Sequence, residues 1–322
     1  MAASKRFFSG RPLRTALFWL LFLIINWALG RIYIYKEMGS SRTGLVERQF
    51  DQRRAQVKVL ALGDSHMATG FDPRLVPRSF NFALFGENYI YNYYRLKYIL
   101  ARHPRIRTIL LPADLHSFSS WRAERSPRDF YWVKYVDYLE LGRLSGEPLG
   151  CLGRYVRGRL FPYLGGFAAI LGLAGQEGAV ARTELPEIVR GFVVRTGAFD
   201  QRREGQAAGR ARLHFEDQRA FDQLVGLYFR KMLDLCASRG KTLVLVKFPL
   251  SEPYFRHAGR RISIARFDQR LDEMIAPYVN VKLLDFRQIF FDRDRELFAD
   301  PDHLNAAGAQ ILTLAIKKEL DR

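Results

Sequence analysis

Val57-Lys58-Val59-Leu60-Ala61-Leu62-Gly63-Asp64-Ser65-His66 reads as a buried β-strand that turns sharply and runs into a helix. Val57, Val59, Leu60 and Leu62 supply the apolar strand, and Gly63 permits the tight turn that ends it. Asp64-Ser65 then falls where the next helix begins, at the carboxyl edge of a sheet. Free backbone N–H groups and the positive end of a helix dipole lie there. A serine hydroxyl so placed suits nucleophilic attack, because the oxyanion it creates meets those N–H groups. The same pattern also marks an ordinary helix N-cap, for which Asp and Ser are preferred.

A second stretch bears on that choice. Phe298-Ala299-Asp300-Pro301-Asp302-His303-Leu304-Asn305-Ala306-Ala307-Gly308 puts Asp300 three residues before His303, just ahead of a helical run from Ala309 to Leu320. In such a turn the carboxylate accepts from one imidazole nitrogen while the other faces a serine. Ser65, His303 and Asp300 are therefore the candidate nucleophile, base and orienting acid, joined only by the fold. Gly63-Asp64-Ser65-His66 and Asp300-Pro301-Asp302-His303 resemble the first and last sequence blocks of the SGNH/GDSL hydrolase superfamily. The resemblance brackets residues 57–320.

It implies that Gly86, in Leu84-Phe85-Gly86-Glu87-Asn88, matches the second block and offers its N–H to the oxyanion together with the N–H of Ser65. A plain turn glycine is the other reading of Gly86. The third block departs from the family. Its usual Gly-x-Asn-Asp, whose asparagine is a third oxyanion donor, is replaced by Pro112-Ala113-Asp114-Leu115-His116, with Ala113 near the asparagine position. Asn88 and His116 are the candidates to substitute. Losing one donor typically costs ~10²-fold or more in rate, which weighs against fast hydrolysis more than against acyl transfer.

The 322 residues are enough for a full core and one insertion. With 51 Lys+Arg against 33 Asp+Glu, the net charge of +18 favours an anionic partner surface, an acidic glycan or lipid headgroups. Nucleic acid fits less well, since zinc-finger spacing, RNP-like runs and compact basic helices are missing and the arginines are spread along the chain. The two cysteines, Cys151 and Cys236, either pair or stay as buried thiols. The acidic run from Asp292 to Asp302 fails as a calcium loop, because Leu297 and His303 stand where glycine and glutamate belong. No metal or cofactor is expected.

Lys5, Arg6, Arg11 and Arg14 precede an apolar run from Ala16 to Gly30 that persists through Tyr35, with Trp27, Tyr33 and Tyr35 as interface aromatics. The expected organisation is a basic cytoplasmic tail over 1–15, a transmembrane signal-anchor over 16–35, a linker over 36–56 and an exported domain over 57–322. A signal peptide cleaved near Gly30 is the alternative. Strand signals at 79–83, 107–111, 241–248 and 281–284 alternate with helical ones at 89–101, 217–238, 262–276 and 305–320. That alternation predicts an α/β fold, a three-layer α/β/α sandwich on a parallel, flavodoxin-like sheet, with ligands at the carboxyl ends of its strands.

Residues 118–215 break the rhythm and read as a central helical insertion, with the apolar run Leu160 to Leu171 as an interfacial segment, a lid or a buried hairpin, and 201–212 as an exposed loop. Tyr89, Tyr91, Tyr93, Tyr94 and Tyr98 read as core packing ahead of sugar stacking. His66 reads as a helix-start side chain facing solvent, or else as a ligand or acid beside the nucleophile.

The expected chemistry is two-step acyl transfer through Ser65. A membrane-tethered domain of this kind resembles the D-alanyl-transfer protein of teichoic-acid biosynthesis and related O-acyltransferase accessory proteins. The resemblance implies a membrane-bound O-acyltransferase as partner and a cell-surface glycan as substrate, on the periplasmic side of the inner membrane. A lipase or esterase acting on small or lipid esters is the second expectation. The third is a non-catalytic partner that keeps the fold.

Overall fold

The computed structural model describes residues 11–123, 129–164, 187–198 and 204–322. Five short parallel strands form the central sheet: β1 (Val59–Ala61), β2 (Ser79–Asn81), β3 (Thr108–Pro112), β4 (Thr242–Lys247) and β5 (Val281–Asp285). Their order is β2-β1-β3-β4-β5, and every pairing is parallel. Parallel strands need crossovers, and the helices that supply them cover both faces, so the strands are apolar almost throughout. Leu60, Ile109, Leu111, Leu243 and Leu245 are fully buried. The result is a three-layer α/β/α sandwich.

Helices are labelled α1 (Arg11–Ser40), α2 (Arg42–Arg53), α3 (Ser65–Gly70), α4 (Tyr89–Arg102), α5 (Pro148–Leu160), α6 (Glu204–His214), α7 (Gln223–Ser238), α8 (Ile264–Ile275) and α9 (Ala306–Leu320). The chain leaves β1 toward one edge to reach β2, then crosses back past β1 to β3. Right-handed crossovers therefore put α3 and α4 on opposite faces. α3 packs with α9, and α4 packs with α7. Strand order reverses direction between β1 and β3, which makes the carboxyl ends of those two strands the natural ligand crevice.

Two glycines are dictated by close approach. Gly63 has φ +138°, and a Cβ there would stand 2.4 Å from Cδ of Pro112. Gly191, at φ +83°, lies against the carbonyl of Asn81, 1.7 Å from where a Cβ would be. Gly191 turns the small hairpin Ile188–Val189 to Phe192–Val193, which caps the edge strand β2 through Asn81 N–H to Arg190 O (3.0 Å).

Several sequence expectations are corrected. Residues 36–56 are no flexible linker. α1 runs on to Ser40, and after Ser41, whose hydroxyl caps Gly44, α2 buries Val46 and Phe50 in the core. Phe50 meets Phe80 and Phe82 at centroid distances of 5.2 and 4.6 Å. Part of the expected loop at 201–212 is helix α6, which buries Ala207, Ala211 and His214; residues 201–203 lie outside the described residues. Of the apolar run 160–171, only 160–164 lies within the described residues, and Tyr163 donates to Asn26 Oδ1 of α1 (2.5 Å). Tyr89, Tyr91, Tyr93 and Tyr94 are buried core residues. Cys151 and Cys236 are both free and buried.

From Pro12 to Ser40 the first helix is long and apolar enough to cross a membrane, a test that a signal sequence also passes. Leu17, Phe18, Trp19, Leu20, Leu21 and Leu23 are all more than half exposed, an apolar surface that the described residues leave uncovered. Because α2 is core, Phe50→Ala in the full-length protein should cost ~3–5 kcal/mol, read as a loss of urea resistance in the α/β domain. An unchanged midpoint would mean that α2 is not an integral part of that domain.

Candidate active site

Ser65 opens α3 immediately beyond β1. Asp64 caps that helix, its Oδ1 accepting from the His66 N–H (3.0 Å). At the other end of the chain Asp300 builds its own turn. Its Oδ1 accepts from the N–H of Asp302 (3.2 Å) and of His303 (3.0 Å), and also from His303 Nδ1 (2.8 Å). The group that folds the turn thus also fixes the imidazole tautomer. His303 Nε2 then lies 2.8 Å from Ser65 Oγ. The structure brings Ser65, His303 and Asp300 together across 238 residues of sequence.

Gly86 adopts φ +79°, in the loop that follows β2, with nothing among the described residues within 4 Å of the position of a Cβ. That loop is anchored by Glu87, whose buried carboxylate pairs with Arg95 of α4. As the first residue of a helix, Ser65 has an N–H without an intrahelical acceptor. Asn88 does not stand in for the third oxyanion donor, as the sequence had suggested. Its Oδ1 accepts from Tyr91 N–H (3.1 Å) as the cap of α4, while Nδ2 donates to the Arg122 carbonyl (2.7 Å). His116 is likewise committed, its Nε2 donating to Asp64 Oδ2 (2.9 Å).

Behind the serine lies a buried polar network that sequence reasoning largely missed. Asp64 Oδ2 also accepts from Arg122 (2.7 Å). Asp114, two residues beyond β3, accepts from His66 Nδ1 (2.8 Å) and from the N–H of Phe248 (2.6 Å). His214, from α6, stacks on His116 at 4.8 Å and is hydrogen-bonded through Nδ1 to the Tyr254 hydroxyl (2.6 Å). Asp302 faces His303 Nδ1 (3.3 Å) and His66 Nε2 (3.5 Å). Four of the six histidines are therefore buried within one cluster. His66 is 2% exposed, so it does not face solvent. The available signal was the Asp-x-His after β3, at the same sheet edge as Ser65. Nothing in the local sequence of His214 marks it.

Electrostatics sort these groups. Burial disfavours the charged form of His66, yet the adjacent Asp114 outweighs it and raises the pKa to about 10. Burial, together with the His66 charge, lowers His116 to about 4. His214 is lowered in the same way, by burial and by His116. Asp64 and Asp302 are held well below 3.8 despite burial, Asp64 by Arg122 and His116, Asp302 by His303 and His66. For His303, burial is outweighed by the charge of Asp302 and the bond to Asp300, so its pKa is raised above 6.5.

His303 and Asp300 line one side of an open cavity of about 480 Å³, with Arg42, Phe85, Arg195 and Arg210 among its other walls. His66 with Asp114 and His116, and His66 with Asp302 and His303, are grouped closely enough to hold a metal ion. In the first group His66 Nδ1 already bonds to Asp114 (2.8 Å) and His116 Nε2 to Asp64 (2.9 Å); in the second, His303 Nδ1 and His66 Nε2 face Asp302 at 3.3 and 3.5 Å.

No model of a known protein family matches this sequence, and no curated protein does. Among solved structures, one from Streptococcus pneumonia, provisionally assigned as a platelet activating factor, is similar with a TM-score of 0.38 and 12% identity, covering 85% of this chain and 92% of that one. A likeness at that level is too weak to bear on function.

Two outcomes are expected. In ¹⁵N NMR, His303 should titrate above 6.5, and Asp302→Asn should move that titration down; a midpoint at or below 6.5 in the unsubstituted protein would contradict the geometry. For stability, His116 and His214 have folded pKa values below their unfolded ones. The unfolded chain therefore takes up protons first, and stability should fall as pH drops from about 6.5 to about 4. Asp64 and Asp302, held low, add to the loss as pH falls past 3.8, while Glu87, raised to about 8 by burial, opposes it between about 8 and 4.5 without cancelling two histidines. Urea midpoints across that window should decline, and His116→Asn should flatten the slope.

Proposed function

We propose that this protein is a serine acyl-transfer enzyme, an O-acyltransferase or acylesterase of the SGNH/GDSL type, working outside the cytoplasm on a cell-surface glycan or polymer. The observation that carries the reading is the chain of contacts from Ser65 Oγ through His303 to Asp300, at 2.8 Å each. In the first half-reaction, His303 takes the Ser65 proton as Oγ attacks the ester carbonyl. The N–H groups of Ser65 and Gly86 receive the oxyanion, and the leaving alcohol departs with the proton from His303. In the second, water or an acceptor hydroxyl gives its proton to His303 and attacks the acyl-serine, which regenerates Ser65 Oγ–H. Asp300 holds the imidazole and stabilises its cation.

α1 serves in this reading as an uncleaved single-pass anchor with the catalytic domain on the periplasmic face. A membrane-bound O-acyltransferase is the partner that such an arrangement would serve. The high net charge supports an acidic surface as its working environment.

One observation favours a second reading, a non-catalytic partner that keeps the fold. Asp114 stands in the third block, and its carboxylate is committed to His66 and Phe248, so the loop offers no amide donor.

A fluorophosphonate probe separates the two. The enzyme reading expects covalent labelling of Ser65, abolished by Ser65→Ala and slowed ~10²–10⁴-fold by His303→Ala. Absence of labelling in the folded protein, with and without its membrane partner, would leave only the second.

A further inference from the structure

Around the mouth of the site the charges do not balance. The carboxyls are Asp64, Asp114, Asp300 and Asp302, all at or behind the triad, and Glu87 of the Gly86 loop, which is paired with Arg95 and raised to about 8 by burial. Facing them are Arg122, on Asp64; Arg195, whose Nη1 is 2.6 Å from Asp300 Oδ2; Arg210, whose Nε is 3.5 Å from Asp302 Oδ1; and the protonated His66, on Asp114. Each of these cations has a carboxylate. Among the described residues, Arg42 has none. Its guanidinium lies 4.1 Å over the ring of Phe85, which in turn runs parallel to the His303 ring at 6.4 Å. Arg42 Nε is buried without a hydrogen-bond partner among the described residues. Arg195, its neighbour in the cavity wall, repels rather than compensates it.

An arginine cannot shed its proton, and Arg42, half-buried with its Nε enclosed, carries a charge that no carboxylate of the described residues offsets. A guanidinium held in this state beside a second one is half of a charge pair whose other half comes from outside. The planar fork of arginine fits a carboxylate or a phosphate with two hydrogen bonds. The cavity that Arg42, Arg195 and Arg210 share is large enough for a sugar-sized group and has His303 in its wall.

We propose that Arg42, with Arg195 and Arg210 beside it, binds a compact oxyanion, a carboxylate or phosphate carried by the substrate close to the reacting ester or acceptor hydroxyl. The substrate role rests on the acyl-transfer reading, while the anion site itself does not. Arg42 supplies the free charge and the bidentate contact. Arg195 and Arg210 shape the pocket and offset the carboxylates they pair with, Asp300, which lines it, and Asp302. The substrate so held is an acidic one, a uronate-bearing or a phosphate-bearing molecule, and a neutral ester lacks this contact.

Full-length Ser65→Ala protein in neutral detergent, titrated by calorimetry at constant ionic strength with galacturonate, with inorganic phosphate and with neutral galactose, tests this directly. One of the two anions should bind and galactose should not, galacturonate pointing to a uronic polymer and phosphate to a phosphorylated substrate. Arg42→Gln should weaken that binding about tenfold, and Arg42→Lys, which keeps charge but loses the fork, should fall between. No binding of either anion, or equal binding by Arg42→Gln with its melting temperature unchanged, overturns the proposal. Fluorophosphonate labelling of the wild type, run separately, keeps the two claims apart. Labelling without anion binding sinks the anion site alone; anion binding without labelling sinks the enzyme and with it the substrate role.

Discussion

Burying Asp64, Asp114 and Asp302 at one end of a sheet, with Asp300 partly buried beside them, is possible only if cations are brought to meet them. That requirement organises this end of the molecule. Asp64 follows β1, Asp114 follows β3, and Asp300 and Asp302 belong to the loop before the last helix. Their partners come from elsewhere: His66 from α3, Arg122 and His116 from the region after β3, Arg195 from the hairpin region and Arg210 from α6. Removing one member of such a pair strands the other in a low-dielectric interior, at a cost of about 3–5 kcal/mol. The network therefore fixes the mutual position of loops that share no secondary structure. The Ser65–His303 contact is a consequence of that fixing.

The same network sets protonation states. His66 and the arginines carry the positive charge, so His116 and His214 stay neutral and fill space as aromatic rings. His303 alone is left lining the cavity and facing a hydroxyl, its pKa raised by Asp302 and Asp300. Division of one residue type into cation, neutral filler and base follows from which neighbour each imidazole meets. No special residue chemistry is involved.

Much of this was legible in the chain. The alternation of apolar strands and amphipathic helices predicted the parallel sandwich, because buried strands and crossover helices leave period-specific patterns. Ser65, Asp300 and His303 were legible because short turns place them by local geometry. Contacts made by tertiary packing were not. Arg42 and α2 read as a polar linker, since the burial of Val46 and Phe50 on one face is a small signal among eight charged or amide side chains from 42 to 54. Asn88 looked free to reach the oxyanion, but the helix start beside it claims the side chain first. His66 looked solvent-facing because its partner, Asp114, lies 48 residues away.

The claim at the centre is that Ser65 carries the acyl group between the two half-reactions. Acid-quenched incubation with an activated aryl ester, followed by intact mass and peptide mapping, measures that intermediate itself. The account predicts an adduct equal in mass to the acyl group, confined to Ser65 and missing from the His303→Ala protein. Ester turnover that proceeds with Ser65 unmodified, or undiminished after Ser65→Ala, would contradict it.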